Sequence, residues 1–522
     1  MIQAPTMTDP DRIRELVQAR VCQEQAAHGT AQDEPRGLKG QFSEQEIMGA
    51  LSQGEDGDAA LFVGLHRDRL LHDHSAGQWY GWAGHYWQPD LIDEAIASVE
   101  AVISVYRAEA QRQSWLKHKA ESAGQSDRGK AHGAKEEALL RRCRDLHTIR
   151  RKQAVLILAR SGKDSLGDPG RAWDADPWLV ACSNGVIDLR TGKLRRGKPS
   201  DRIKTPCPTP FTGLDTPAPA WEKFLAATFQ DDSELVAYMG RLLGYGITGS
   251  TRDHVHPIFY GKGRNGKGTL LETVKHVLGD LAFKTKAETL LDQGPKASGS
   301  ADADTLALRG KRIVWASETN EGRRMNAGKL KELSGGDTLN ARGVYARYAV
   351  EFKPTHLLLL MTNEKPHAPA GDYALWQRLH LIPFSMAFVT NPDPEKSNER
   401  KADPDLPEKL KAEASGILAW LVRGCLAWQS DGLNPPQIIR SATKEYQAGE
   451  DLVSQFTEER CTVSTLSEVS AGDLYREYRS WAEENGIRSL SNVKFAGQLQ
   501  ERFDRYRDKK GYVYIGLCLN ES

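Results

Sequence analysis

The sequence predicts an α/β protein whose central α/β segment has a smaller domain on each side. Three observations support this prediction. Residues 255–385 alternate apolar strand-like runs with helix-like segments, which is the pattern of an α/β core. A glycine-rich loop lies inside this segment, between an apolar strand and an amphipathic helix. The flanking segments combine helices with short strands around turn residues, which is typical of α+β domains.

The composition excludes several classes of protein. The chain has 522 residues, enough for three or four domains at roughly 100–200 residues each. Its 70 Lys and Arg residues balance its 70 Asp and Glu residues, so any site for a polyanion must be a local patch. The 47 glycines and 24 prolines are an ordinary share, which excludes collagen-like and low-complexity chains.

The same composition predicts a soluble cytoplasmic protein. The seven cysteines are dispersed and form no C-x-x-C motif, so we expect neither a zinc site nor a disulfide framework. The N-terminal residues 1–20 include acidic side chains and no apolar segment, unlike a signal peptide. The longest apolar runs, such as residues 357–361, are far too short to span a membrane.

Changes in composition divide the chain into four predicted segments. Residues 1–60 read as a polar N-terminal arm, and residues 61–220 as an α+β domain that ends in a Pro-rich stretch. The α/β core follows at residues 221–435, and residues 436–522 form a last domain of helices followed by strands.

Three patterns stand out in the second segment. The aromatic run at 79–87 (WYGWAGHYW) predicts a β-hairpin, and a base-stacking aromatic platform is the alternative. Residues 90–160 predict helices, interrupted by a stretch at 122–135 that is rich in Gly, Ser and charge. The N-G and T-G turns of residues 183–194 predict two short strands.

The strongest functional signal is the strand–loop–helix unit at 256–279, which has the context of a phosphate-binding loop. Its glycines let backbone N–H groups face phosphates, the helix N-terminus adds its dipole, and Lys267 supplies a positive charge. The loop residues are Gly261, Lys262, Gly263, Arg264, Asn265, Gly266, Lys267, Gly268 and Thr269. Gly268 stands where a Ser or Thr that binds magnesium usually follows the lysine, so this hydroxyl is missing or comes from Thr269.

Three further polar side chains adjoin apolar strands downstream of the loop. Residues 312–317 predict a strand that delivers Glu318 at its end, where an ATPase holds magnesium and polarises water. A second strand ends at Asn363, whose amide is suited to sensing a γ-phosphate or orienting water. Arg378 precedes a third strand, in a position suited to reaching the nucleotide of a neighbouring subunit.

Residues 329–353 combine positive charges with aromatic rings. In a hairpin, such alternation offers charges to phosphates and rings to bases. A solvated hairpin with one packed face is the alternative. The candidate DNA-binding residues of this block are Lys331, Arg342, Tyr345, Arg347 and Lys353.

The last domain predicts helices at 471–485 and 492–503, then two strands around the turn at 508–511. Helix–turn–helix followed by a hairpin is the outline of a winged helix, and positive charges outnumber acids at 488–510. DNA binding is one interpretation of this domain, and protein contacts are the alternative. The candidate DNA-binding residues are Lys494, Gln498, Arg502, Lys509 and Lys510.

Taken in order, these motifs resemble those of superfamily 3 helicases, specifically the phage and plasmid primase-helicase family, whose relatives include the poxvirus primase-helicase. The resemblance rests on the GxGxNGK loop, the LRGKR…SE strand, the K-x-L-S-GGD block, the strand ending in TNE-x-P and the QR…IPF segment. It covers residues 61–390 strongly, because residues 61–220 are similar to the family's helicase-associated domain, and it covers the C-terminus more loosely.

The resemblance implies an AAA+-like P-loop ATPase core between a helicase-associated domain and a winged-helix-like domain. It implies that the loop with Lys267 holds ATP, that Thr269 and Glu318 bind Mg²⁺, and that Glu318 helps to activate water. Asn363 would be sensor 1. Arg378 would be an arginine finger acting in trans, which requires a ring of subunits, usually six. The block at 329–353 would line a central DNA channel.

The chain departs from the family pattern in three respects. Gly268 replaces the more usual Ser, which leaves the identity of the magnesium ligand open. Glu318 stands alone where some relatives have two adjacent acids. Relatives often carry a primase ahead of the helicase. Residues 1–60 hold no zinc motif and no cluster of catalytic carboxylates, so we expect a helicase without a primase.

These observations predict a ring-forming, ATP-dependent DNA helicase that unwinds the replication origin of a phage, phage satellite or plasmid in a bacterial host. The expected partners are single-stranded and duplex DNA, further copies of the chain, and a separate primase or host replication proteins. Two alternatives stay open. One is an origin-binding or loader ATPase without processive unwinding, and the other is a nucleotide phosphotransferase that uses the GKGT sequence of the loop.

Overall fold

The computed structural model describes residues 42–292, 303–318, 323–342, 349–487 and 489–520. The chain forms two compact units. The first comprises the described residues up to Gly81 together with Gln88–Gly170, and the second comprises Trp82–Trp87 and the described residues from Arg171 onward. None of the helices described in these ranges is both long and apolar enough to cross a membrane.

The first unit is mainly helical. Its helices are α1 (Glu44–Ser52), α2 (Glu55–His66), α3 (Glu94–Ala97), α4 (Glu100–Ser122), α5 (Ser126–Leu146) and α6 (Ile149–Ala159). Its strands are β1 (Leu70–Asp73), β2 (Gln78–Trp82), β3 (Trp87–Pro89) and β4 (Gly167–Asp168), which form a sheet in the order β3-β2-β1-β4. The neighbouring strands β2 and β3 confirm the predicted hairpin at residues 79–87.

Two expectations for this region are wrong. Residues 44–60 of the predicted polar arm are almost entirely helical, because Ser43 and Glu46 form a capping box that starts α1 and the helix buries Ile47. The predicted interruption at 122–135 shrinks to residues 123–125, since the Ala, Lys and Glu residues that follow favour a helix. Residues 1–41 of the predicted arm lie outside the described residues.

The second unit contains the predicted α/β core, and its central sheet is parallel. The strands β8 (His256–Tyr260), β9 (Ala282–Thr285), β10 (Ile313–Glu318), β13 (Leu357–Thr362) and β14 (Leu379–Pro383) form this sheet in the order β14-β8-β13-β10-β9. Every adjacent pair in it is parallel. Its strands are nearly continuously buried, which is typical of a parallel sheet covered on both faces.

The other elements of this unit surround the parallel sheet. The helices are α7 (Pro219–Thr228), α8 (Ser233–Gly246), α9 (Lys267–Leu278), α10 (Ala303–Leu306), α11 (Ala327–Ser334), α12 (Tyr373–Trp376), α13 (Leu406–Ala412), α14 (Ala414–Asp431) and α15 (Gln437–Glu450). The strands are β5 (Leu179–Cys182), β6 (Gly185–Asp188) and β7 (Lys193–Arg195) in one antiparallel sheet, β11 (Leu339–Ala341) with β12 (Val350–Phe352), and β15 (Ala387–Val389) with β16 (Glu399–Lys401).

The boundary between the compact units lies at residue 170 and not at the predicted residue 220. Residues 171–220 join the second unit because they share its core. For example, the Sγ of Cys207 donates a hydrogen bond to the backbone oxygen of Val277 in α9, at 3.0 Å. The functional division at residue 220 stays a prediction.

The C-terminal part of the second unit is built in the order helix, strand, helix, helix, strand, strand. Its elements are α16 (Leu452–Arg460), β17 (Cys461–Ser470), α17 (Ala471–Glu484), α18 (Asn492–Gln500), β18 (Arg505–Arg507) and β19 (Tyr512–Leu519). The three strands form an antiparallel sheet in the order β17-β19-β18. A core that includes Phe456, Tyr478 and Trp481 lies beneath this sheet.

Candidate nucleotide-binding site

The glycine-rich loop connects β8 to α9, as the sequence predicts, and its backbone requires glycine at two positions. Gly261 has a φ of 152° and Gly266 a φ of 88°, values that L side chains rarely adopt. A Cβ atom at Gly261 would lie 2.2 Å from the backbone oxygen of Phe384. The loop therefore passes too close to the end of β14 for any larger residue.

Lys267 is the first residue of α9 and its side chain is 4% exposed. Its Nζ donates hydrogen bonds to the backbone oxygen of Gly261 and to Oδ1 of Asn363, the latter at 3.4 Å. Burial lowers the pKa of this ammonium to about 8 because a charged group loses hydration there. The lysine is thus a buried cation held between the start of the loop and the residue that follows β13.

The register of the parallel strands brings the predicted polar residues to one edge of the sheet. Tyr260 at the end of β8 pairs with Thr362, and Thr362 pairs with Glu318 at the end of β10. Because parallel strands end at the same edge, the loop, Asn363 and Glu318 share it, with neighbouring strands about 4.8 Å apart. Ligands of open α/β sheets bind at this carboxyl edge.

Glu318 is 5% exposed. The cation beside its carboxylate is Arg323, a residue that the sequence motifs did not indicate. The Nε of Arg323 is 3.6 Å from Oε2 of Glu318, and this Nε is buried without a hydrogen-bond partner among the described residues. The backbone of Arg323 is fixed, since its oxygen accepts a hydrogen bond from the N–H of His367 at 2.8 Å. The dipeptide Arg323-Arg324, which follows the Glu318 strand after an intervening segment at 319–322, was the available signal in the sequence.

Hydrogen bonds to the residues that follow β14 fix the conformation of the loop. The Nδ2 of Asn265, a residue that is 3% exposed, donates to the backbone oxygen of Phe384 at 3.2 Å. The backbone oxygen of Arg264 accepts from the N–H of Phe388 at 2.7 Å. Asn265 therefore helps to fix the conformation of the loop.

The residues predicted to hold magnesium fit an ion that keeps most of its own water. Thr269 lies half-buried in the first turn of α9, and Glu318 ends a strand at the same edge of the sheet. Mg²⁺ commonly takes one or two protein oxygens together with substrate phosphates. The described residues hold no cluster of three or more His, Cys, Asp or Glu side chains that could bind a metal. A Cβ at Gly268 would meet only open space.

Arg378 lies at the opposite edge of the sheet from the loop. Its backbone oxygen accepts a hydrogen bond from the N–H of His256, the first residue of β8, at 2.6 Å. The five residues of β8 span about 16 Å at ~3.3 Å per residue, so Arg378 stands far from the loop of its own chain. Its Nη1 donates to the oxygen of Ala374 at 2.8 Å.

The block at 329–353 is partly described. Lys331 in α11 forms an ion pair with Asp372 at 2.8 Å. Arg342 and Lys353 are exposed beyond the ends of the antiparallel strands β11 and β12, which confirms a hairpin-like pairing of these segments. Tyr345 and Arg347, which were predicted to bind DNA, lie outside the described residues.

The predicted DNA-binding residues of the C-terminal domain differ in their surroundings. Lys494 in α18 is exposed and Gln498 is half-buried. Arg502 pairs with Asp451 and donates to the hydroxyl of Ser454 at 2.8 Å, so its guanidinium already has partners within the domain. Lys509 and Lys510 are exposed in the turn between β18 and β19.

Comparison with known families matches three segments of the chain. Residues 59–230 match a family described as "D5 N terminal like", residues 259–378 match a family of unknown function (DUF5906), and residues 448–514 match a family described as "Poxvirus D5 protein-like". The first match covers nearly the segment predicted as helicase-associated. The matches support the predicted relationship to the primase-helicase family.

Individual relatives come from viruses of eukaryotes. "Putative helicase L207/L206" of Acanthamoeba polyphaga mimivirus is 27% identical over 451 residues, which cover 82% of this chain and 46% of the relative. "Putative helicase 022R" of Frog virus 3 (isolate Goorha) is 27% identical, over 60% of this chain and 40% of the relative. "Putative primase C962R" of African swine fever virus is 23% identical, over 60% of this chain and 34% of the relative.

These similarities have two consequences. The chain spans less than half the length of the relatives it matches, so the expected absence of a primase stays a prediction. The predicted bacterial host finds no support among relatives from eukaryotic viruses.

Among solved structures, the C-terminal region of NrS-1 aligns with a TM-score of 0.37 and 12% identity, over 69% of this chain and 88% of that one. This TM-score is too low to establish a common fold.

Proposed function

We propose that the chain is the ATP-driven motor of a DNA helicase that acts in replication of a virus or related mobile element. The observation that carries this proposal is the convergence of Lys267, Asn363 and Glu318 at the carboxyl edge of the parallel sheet. A buried cation, a polar amide and a buried carboxylate beside a helix N-terminus are the groups that phosphoryl transfer requires. The relatives named as helicases supply the link to DNA.

In this proposal, the backbone N–H groups at the start of α9 and the Lys267 ammonium bind the β- and γ-phosphates of ATP. Binding would draw Nζ away from the Gly261 oxygen, because a phosphate oxygen is the stronger acceptor. Thr269 and Glu318 would hold Mg²⁺, which neutralises phosphate charge when it is bound. Glu318 polarises the attacking water, and Asn363 orients that water relative to the γ-phosphate.

The position of Arg378 supports action on a neighbouring subunit. It stands at the opposite edge of the sheet from its own loop, so it can serve only a nucleotide bound elsewhere. In a head-to-tail ring, each subunit would present this edge to the next subunit's site. An AAA+-like P-loop core, a hexameric ring and an arginine finger in trans therefore belong to the same proposal.

Two regions are candidates for DNA contact. The β11–β12 segments carry the exposed cations Arg342 and Lys353, and they follow the Glu318 strand closely in sequence. The C-terminal domain has two helices followed by a hairpin on a three-stranded sheet, which supports a winged-helix assignment. Protein contacts are the alternative role for this domain.

The test is ATP hydrolysis by the purified chain, with and without single-stranded DNA, together with its mass in solution. We expect a multimer, with hydrolysis that DNA stimulates. Lys267→Ala should abolish hydrolysis, whereas Lys275→Ala, which changes an exposed lysine of the same helix, should not. Hydrolysis or phosphate transfer to a nucleoside monophosphate by a monomer indifferent to DNA would favour the phosphotransferase alternative. DNA-stimulated hydrolysis without strand displacement would favour the loader.

A further inference from the structure

The β18–β19 hairpin concentrates positive charge within the C-terminal domain. Residues 505–512 hold Arg505, Arg507, Lys509 and Lys510 against a single acid, Asp508. The Asp508 carboxylate is occupied within the turn, where Oδ1 accepts the backbone N–H groups of Lys510 and Gly511 at 2.7 and 2.8 Å. The hairpin thus carries two cations on β18 and two in a turn whose geometry is fixed by its own acid.

These cations differ from three other arginines of the domain. Arg460, Arg476 and Arg502 each lie within 4 Å of a carboxylate, on Glu477, Asp473 and Asp451 respectively. Across the described part of the chain, none of the four hairpin cations has such a carboxylate partner. Unpaired cations on one hairpin raise the local potential and can meet an anion without first breaking an ion pair.

The two arginines of β18 are held in place by an aromatic ring. Arg505 pairs with Tyr514 across the two strands, and Arg507 pairs with Tyr512. The four side chains therefore lie on the same face of the sheet. The Cζ atoms of Arg505 and Arg507 are 4.3 and 5.9 Å from the centre of the Tyr512 ring. Stacked guanidiniums keep their N–H groups free at the edge, and they lose less conformational entropy when they bind.

The same face of the hairpin is continuous with α18. The Tyr514 hydroxyl, on a ring that is 1% exposed, donates to the backbone oxygen of Ala496 in α18 at 3.3 Å. This contact positions the hairpin cations beside the helix that would enter a DNA groove. That helix itself carries a single cation, Lys494.

We infer that the β18–β19 hairpin binds the sugar-phosphate backbone of duplex DNA through the Arg505–Tyr512–Arg507 stack, and that it contributes more to binding than α18 does. The inference rests on the proposed action on DNA and names its duplex-binding surface. Backbone contact is favoured because both guanidiniums lie beside the Tyr512 ring and present forked donors that match phosphate oxygens.

The test measures binding of the full chain to a fluorescent blunt-ended DNA duplex by anisotropy over a series of salt concentrations. The variant is Arg505→Gln with Arg507→Gln. The matched control is Arg476→Gln with Arg479→Gln, which removes the same charge from exposed positions on α17. We expect the hairpin variant to bind about tenfold more weakly and its salt slope to fall by about 1–2, and the control to change little.

Two further variants separate the elements. Tyr512→Leu should weaken binding several-fold and leave the salt slope unchanged. Both arginine charges stay, and only the ring that restrains their side chains is removed. Lys494→Ala with Gln498→Ala should cost less than the hairpin variant. Equal binding by the hairpin and control variants, or no duplex binding by the unaltered chain, would overturn the inference. A protein that binds duplex through the hairpin and hydrolyses no ATP would refute the proposed motor and leave this inference standing.

Discussion

The Nζ of Lys267 and the Oδ1 of Asn363 lie 3.4 Å apart, although the two residues are 96 positions apart in the sequence. This contact joins the glycine-rich loop to the residue that follows the neighbouring strand β13. It places a cation and an amide around the space in front of α9, so a change at either residue should affect both of the proposed roles, nucleotide binding and water orientation.

Nucleotide binding should weaken as the pH rises above about 8. The pKa of Lys267 is lowered to about 8 by burial, and only the protonated amine attracts phosphate. Affinity for a fluorescent ATP analogue should therefore be constant below pH 8 and fall by up to about tenfold per pH unit above it. Lys267→Arg keeps its charge in this range, so its profile should be flat. An equally steep fall in that variant would assign the pH dependence to another group.

Removing Arg323 should impair turnover more than binding. Its guanidinium lies 3.6 Å from the Glu318 carboxylate, where it restrains the group that is proposed to polarise water. We expect Arg323→Ala to lower kcat roughly ten- to a hundred-fold with little change in KM, as for other groups that orient a reacting side chain. Arg323→Lys should recover part of the activity. A rise in KM with kcat intact would instead make Arg323 a nucleotide ligand.

The trans role of Arg378 can be tested by mixing two inactive variants. Arg378→Ala and Glu318→Gln should each assemble and bind ATP but barely hydrolyse it. In rings mixed at equal amounts, about a quarter of the interfaces combine an intact Glu318 with an intact Arg378 from the next subunit, so activity should partly return. If the mixture is as inactive as its components, Arg378 does not act across an interface.

The close packing of α8 against α14 should make glycine essential at their contact. A Cβ at Gly424 would lie 2.0 Å from the backbone oxygen of Gly240, so Gly424→Ala must push the two helices apart. We expect a loss of about 2–4 kcal/mol in the free energy of unfolding. Gly449→Ala in α15 is the matched control, since a Cβ there meets nothing within 4 Å. Its effect should be neutral or stabilising by up to about 1 kcal/mol. Denaturant unfolding of both variants measures the difference.

Several features of the site follow from the sequence alone. The loop could be predicted because Gly261 and Gly266 have positive φ angles, which favour glycine. Such a requirement is local, so it is visible in the sequence of the loop itself. Glu318 and Asn363 could be predicted because each follows a run of apolar residues that forms a buried strand. In a parallel sheet such strand ends must share one edge, so convergence is implied once the strands are recognised.

The tertiary structure decided which charged side chains are available. Lys331 and Arg502 have the residue type expected of DNA ligands, but Asp372 and Asp451, which lie 41 and 51 positions away, already pair with them. Arg323 lies beside Glu318 in a segment whose backbone is hydrogen-bonded to His367, far along the chain. Local patterns specify backbone conformation and burial, whereas the partner of a charge depends on which distant elements pack beside it. The sequence by itself determined the glycine-rich loop and the strands that frame it, and packing determined which cations already have a carboxylate partner.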